Sequence, residues 1–220
     1  IGTASPLESI ERLIEQYKKL IIAAAAGTGK STLIEALFSS PEFLDKLGFD
    51  SVIVVFPTTA IQDQLYNPIK IKADKNNYSL GFINASASAI ERANAKASRT
   101  ALTTFDSLGQ LEQKLQEEKV LLIVDEFDQL ISSHDFRGKA TELVLDAMRT
   151  NEHTLLLSAT PNYLFATNLE ASLNYKVALF KPEIQNTIHI TPILRGKDKT
   201  LALHYVLEKI PKTDNTVCIK

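Results

Sequence analysis

Short apolar runs alternating with helix-length amphipathic stretches constrain this 220-residue chain more than any other feature of its sequence. The runs at 20–24, 51–56, 80–83, 101–104, 120–124, 154–157 and 177–180 are mostly apolar along their whole length, with Val, Ile and Leu prominent. A strand with one wet face alternates in polarity, whereas a strand apolar throughout is covered on both sides. Between the runs the period changes. Leu7, Ile10, Leu13 and Ile14 recur at helical spacing, opposite Glu8, Glu11, Arg12 and Glu15. Further helices are expected at 31–38, 59–66, 87–97, 105–118 and 139–150. Strands separated by helices predict an α/β fold, a mostly parallel sheet with helices on both faces.

The first of these strand–helix junctions carries chemistry. It reads Ala24-Ala25-Ala26-Gly27-Thr28-Gly29-Lys30-Ser31-Thr32. A glycine-rich turn between strand and helix lets successive backbone N–H groups face an anion, and the helix adds its positive N-terminal end. Ala26, Gly27, Thr28, Gly29, Lys30, Ser31 and Thr32 are therefore candidates for holding the phosphates of a nucleoside triphosphate. Lys30 can reach the β- and γ-phosphates, and the Ser31 hydroxyl can ligate Mg²⁺. The strict phosphate-loop pattern has a glycine where this chain has Ala24; Gly27 and Gly29 supply the close approach instead.

Two more strand tips are polar. The run 120–124 ends in Asp125-Glu126-Phe127-Asp128, placing adjacent carboxylates where open α/β sheets bind ligands. Asp125 is the candidate Mg²⁺ ligand and Glu126 the candidate base that positions and deprotonates an attacking water. A plain helix-capping role is the structural alternative for this pair. Ser158-Ala159-Thr160 follows the run 154–157, where small hydroxyl side chains can bond the acids and sense a phosphate.

In this order the motifs resemble the first RecA-like motor domain of superfamily 2 helicases and translocases, the DEAD/DEAH-box-like group. Gly27-Thr28-Gly29-Lys30-Ser31 is similar to motif I, Asp125-Glu126-Phe127-Asp128 to motif II, and Ser158-Ala159-Thr160 to motif III. Val55-Phe56-Pro57-Thr58-Thr59-Ala60, with Gln62 and Gln64 beyond it, resembles motif Ia. Thr103-Thr104-Phe105-Asp106-Ser107-Leu108 resembles motif Ib. The resemblance implies a RecA-like P-loop NTPase with ATP and Mg²⁺ as its ligands. It implies Lys30, Asp125 and Glu126 as the catalytic set, with Ser158, Ala159 and Thr160 coupling nucleotide state to the strand-binding surface. It also implies Pro57, Thr58, Thr59 and Thr104 facing the sugar-phosphate backbone of DNA or RNA, a mode that positions a strand without reading its bases.

The resemblance further implies a second motor domain that supplies arginine fingers. Residues 1–194 read as the ATP-binding domain. Residues 195–220 read as a linker, from Arg195-Gly196-Lys197-Asp198-Lys199, and the truncated start of that second domain, with a helix at 200–210 and a strand at 216–219. A further strand is expected at 187–193. No adenine-recognising glutamine precedes the loop, since Gln16 falls on a helix surface, so the preference for ATP rests on the resemblance alone.

Composition narrows the field from outside. The net charge of −2 does not fit a chain that binds nucleic acid through charge alone, and leaves room for a local amide-lined groove. The single cysteine, Cys218, excludes a disulfide within the chain and reads as a small buried hydrophobe. The apolar runs are too short to span a bilayer, so no membrane partner and an intracellular setting are expected. Other P-loop machines, AAA+ or transporter ATPases, share the loop and the strand-tip acids, but the transporter signature and glutamine loop are absent. A nucleotide-dependent binding module without turnover is the non-enzymatic alternative.

Overall fold

The computed structural model describes residues 6–24, 30–39, 41–76, 79–159 and 173–180. The expected strand at 187–193 and the whole of 195–220, Cys218 included, lie outside the described residues. So do Ala25, Ala26, Gly27, Thr28, Gly29 and Thr160.

Seven parallel strands form one sheet: β1 (Lys19–Ala24), β2 (Ser51–Phe56), β3 (Leu80–Ile83), β4 (Thr100–Thr104), β5 (Val120–Val124), β6 (His153–Ser158) and β7 (Lys176–Phe180). Their spatial order is β3-β4-β2-β5-β6-β1-β7. The helices are α1 (Pro6–Gln16), α2 (Lys30–Ser39), α3 (Pro41–Leu47), α4 (Thr59–Lys75), α5 (Ala89–Ala97), α6 (Glu112–Glu117) and α7 (Gln129–Thr150), with a 3₁₀ helix at Phe105–Leu111.

Continuous apolarity in the strands becomes two cores, one on each face. Successive side chains of a strand point to opposite sides. Val52, Val54, Leu121, Ile123, Leu155 and Leu157 pack with Ile10 and Ile14 of α1, Ile34 of α2, Phe43 and Leu44 of α3, and Leu65 and Ile69 of α4. Their neighbours Ile53, Val55, Val120, Leu122, Val124 and Leu156 pack on the other face with Ala95 of α5, Phe105, Leu108 and Leu111 of the 3₁₀ helix, and Val144 and Met148 of α7.

The helices depart from the periodicity reading in four places, each for a local reason. α4 runs on to Lys75 through Pro68. A proline removes one helical hydrogen bond, but Leu65, Ile69 and Ala73 form a buried stripe on either side of it that holds the helix to the sheet. The stretch 105–118 opens as 3₁₀, because Phe105, Leu108 and Leu111 are buried at a spacing of three, the period of that helix. α3 is too short to show a period; Pro41 opens it, and Phe43 and Leu44 are buried by it. α7 begins ten residues before the expected 139, at Gln129, and is interrupted at Arg137, whose φ of −130° and ψ of 32° are not helical.

Candidate active site

Parallel strands share one C-terminal edge, so every polar strand tip of this sheet lies along the same rim. β5 sits between β2 and β6, and β6 between β5 and β1. Ala23 at the end of β1 is level with Ser158 of β6, and Val124 of β5 is level with Val55 of β2. β1, which precedes Lys30, and β5, which precedes Asp125, are thus two strand spacings apart, roughly 10 Å.

The turn after β5 is pinned from both sides. The Asp125 N–H donates to the Val55 carbonyl at 2.9 Å, and the Phe127 N–H to the Leu157 carbonyl at 3.2 Å. Phe127 is fully buried and anchors the turn in the second core. Between these anchors Glu126 adopts a φ of +47°, the left-handed region that non-glycine residues enter at a cost of roughly 1 kcal/mol or more. Such strain persists where the surroundings over-determine it, and here both flanking N–H groups are tied to neighbouring strands. Its effect is to turn the chain so that Asp125, Glu126 and Asp128 crowd one place.

Asp125 is only 6% exposed. Its carboxyl is pushed up to about 6, first by burial and next by the Glu126 charge. The Glu126 N–H, which donates to Asp125 Oδ1 at 3.1 Å, and the positive charge of Lys30 pull the other way. The tertiary structure therefore brings Lys30, at the first turn of α2, within electrostatic reach of Asp125. Ser31 and Thr32 follow on α2 with exposed side chains.

Ser158, at the tip of β6, is buried and donates from Oγ to Asp128 Oδ1 at 2.5 Å. The turn bearing the acids and the segment opening with Ser158 and half-buried Ala159 are thereby joined through a side chain as well as through the Phe127–Leu157 bond.

A hard cation fits what is present. Asp125 and the Ser31 hydroxyl are oxygen donors, and the crowding that raises the Asp125 carboxyl is the kind a positive charge relieves. Among the described residues no cluster of three His, Cys, Asp or Glu side chains could hold a metal unaided.

The rest of the rim is less uniform than its motifs suggest. Thr58 N-caps α4, its hydroxyl accepting from the Ile61 N–H at 3.4 Å, and Thr59 is exposed beside it. Pro57 is buried. Thr104 stands at the tip of β4, level with Phe56, but is 3% exposed, and Thr103, Phe105 and Ser107 are also buried. Asp106 is the exposed member of that stretch. Gln62 lies wholly inside: its Nε2 donates to the carbonyls of Ile83 at 3.0 Å and Leu102 at 2.9 Å, bracing β3 and β4 against α4. One rim residue is not evident from any motif. Arg137, at the break in α7, donates to the Pro57 carbonyl at 2.8 Å. Its only mark in the sequence is the Arg-Gly pair that interrupts a helical pattern.

Among the described residues no helix is long and apolar enough to cross a membrane. A family model described as DEAD/DEAH box helicase matches residues 6–167. No curated protein matches the chain. A solved structure of a hypothetical ATP-dependent RNA helicase from Sulfolobus tokodaii is similar at a TM-score of 0.59 and 18% identity, over 81% of this chain and 54% of that one. A DEAD box protein from the hyperthermophile Methanococcus jannaschii is similar at 0.59 and 18%, over 77% of this chain and 47% of that one. The chain spans about half the length of these two structures. At such identity the likeness concerns the fold, which is α/β and RecA-like. The family match covers both the Lys30 and the Asp125 strand tips, and on it this chain belongs to the DEAD/DEAH box helicase family.

Proposed function

We propose that this chain is the ATP-binding half of a nucleic-acid motor, coupling hydrolysis of Mg-ATP to movement along DNA or RNA or to its unwinding. The observation that carries this reading is the buried Asp125 at the tip of β5, within reach of the Lys30 charge and beside a strained Glu126. The fold likeness to the hypothetical ATP-dependent RNA helicase from Sulfolobus tokodaii supports it by analogy.

In this reading Ala26, Gly27, Thr28 and Gly29 present N–H groups to the triphosphate, and Lys30 neutralises its outer phosphates. Ser31 and Asp125 would hold a Mg²⁺ ion, which would supply charge stabilisation to the triphosphate. Glu126 orients a water for in-line attack and takes its proton. Ser158, bonded to Asp128, passes the position of the acid turn to β6, with Ala159 and Thr160 continuing that path. Nucleic acid lies along the rim, its backbone against Thr58, Thr59 and the loops opening at Pro57 and Thr104. Residues 1–194 make up this motor domain, and 195–220 lead into a second whose arginines complete the site.

Titration with a fluorescent ATP analogue in Mg²⁺ tests the assignment. Lys30→Ala is expected to weaken binding by about tenfold or more, the loss of one charge-assisted contact. Unchanged affinity removes the phosphate site. The 220-residue chain alone is expected to turn ATP over slowly, since arginine fingers contribute about 10³–10⁵ in rate.

A further inference from the structure

The break in α7 gives one side chain a place on the rim that a continuous helix would not. Residues 129–136 and 138–150 are helical, and Arg137 between them is not. Gly138 follows; a Cβ there would meet nothing within 4 Å, so crowding does not demand the glycine, whose effect is to weaken the helix at the break. The Arg137 guanidinium then bridges two loops distant in sequence. Nη1 donates to the Pro57 carbonyl at 2.8 Å and lies 3.5 Å from Asp106 Oδ2. Pro57 immediately precedes Thr58, the N-cap of α4, and Asp106 follows the tip of β4 by two residues.

We infer that Arg137 is a positioning residue for nucleic-acid binding, clasping the loop after β2 to the loop after β4 so that their backbone-facing groups keep one spacing. The inference rests on the proposed reading of that rim as the strand-binding surface. Three physical points support a clasp. The Pro57 residue is buried and its carbonyl bond to Arg137 is partly so, which makes loss of that donor costly. Both contacts run from Nη1, whose two hydrogens are held in fixed directions by the guanidinium plane, a constraint that a freely rotating ammonium lacks. Arg137 and Asp106 are 36% and 49% exposed, so their ion pair adds little stability in itself and the value of the contact is geometric. Because α7 is the helix that leaves the Asp125–Asp128 turn, the clasp also ties the nucleotide site's own helix to both loops.

Arg137→Ala and Arg137→Lys in the 220-residue chain test this with two readouts. The first is hydrogen exchange at the amides of 58–62 and 104–109. The second is fluorescence anisotropy of a labelled single-stranded oligonucleotide across a salt series. A clasp predicts faster exchange in both loops for Arg137→Ala. It also predicts affinity lower by about three- to tenfold, with an unchanged slope of log Kd against log salt. Arg137→Lys, which keeps the charge, is expected to restore neither fully. Three results overturn the inference: unchanged exchange in both loops, full rescue by Arg137→Lys, or a salt slope shallower by about 0.7, the mark of a lost direct phosphate contact. If the unaltered chain fails to bind the oligonucleotide, the rim reading falls, and the exchange data alone still uphold or overturn the clasp.

Discussion

Replacing Asp125 by asparagine separates what this residue costs the fold from what it does for the site. Its carboxyl stands at about 6 in the folded chain against an ordinary 3.8. Each pKa unit corresponds to about 1.4 kcal/mol, so the ionised, nucleotide-free form carries a penalty of about 3 kcal/mol at pH 7.5. The sign follows from proton uptake. The folded state holds the proton more tightly than the unfolded chain, so the penalty is absent below about pH 4 and grows as pH rises through 6. At pH 5 it has fallen by about half. Asparagine has nearly the same shape, and its Oδ1 can still accept the Glu126 N–H that lies 3.1 Å away. Urea unfolding of Asp125→Asn without nucleotide is therefore expected to show a gain near 3 kcal/mol at pH 7.5, shrinking by about half at pH 5. The same variant is expected to lose the Mg²⁺ dependence of nucleotide binding. A variant less stable than the parent at pH 7.5, or a gain that does not change with pH, would refute the view of Asp125 as a desolvated carboxylate waiting for a cation.

Three further substitutions probe the frame that holds the site. Gly81→Ala puts a Cβ 2.2 Å from the Cα of Ala95, backbone that can move only with the whole of α5. A loss of about 1–3 kcal/mol or more is expected by thermal or urea unfolding, whereas Gly138→Ala, with open space at its Cβ, is expected to be neutral or stabilising. Gln62→Leu removes the donor to both Ile83 and Leu102 carbonyls and is expected to cost about 1–3 kcal/mol, leaving affinity for the ATP analogue unchanged. A weakened nucleotide affinity in that variant would show that Gln62 does more than brace β3 and β4.

Much of this protein is legible in its sequence because the information is local. An unbroken apolar run can only be a strand covered on both faces, and such runs separated by helices make a parallel sheet whose polar tips share one edge. That reasoning placed Lys30 just beyond the first strand, and Asp125 and Ser158 at strand ends, without any knowledge of strand order. It also located most helices, since burial on one side leaves a period. It stopped where the period was masked. Pro68 ended α4 too early, and Arg137 hid the first half of α7.

What the tertiary structure decided depends on lateral neighbours, about which a period says nothing. The order β2-β5-β6-β1 puts the Asp125 turn between the Val55 and Leu157 carbonyls, and those two bonds hold Glu126 in its left-handed turn. The same order brings Lys30 into the electrostatic field of a buried Asp125, and Ser158 onto Asp128. Burial sorted the motif residues too, leaving Thr59 exposed while enclosing Thr104 and turning Gln62 into an internal brace. Residue type and spacing pointed to a phosphate-binding role for the segment around Lys30 and set paired acids after a strand. Packing decided the upward push on the Asp125 carboxyl, the partners of Asp125 and Asp128 and which of their neighbours meet solvent, because desolvation and hydrogen bonding between strands are set by contacts remote in sequence.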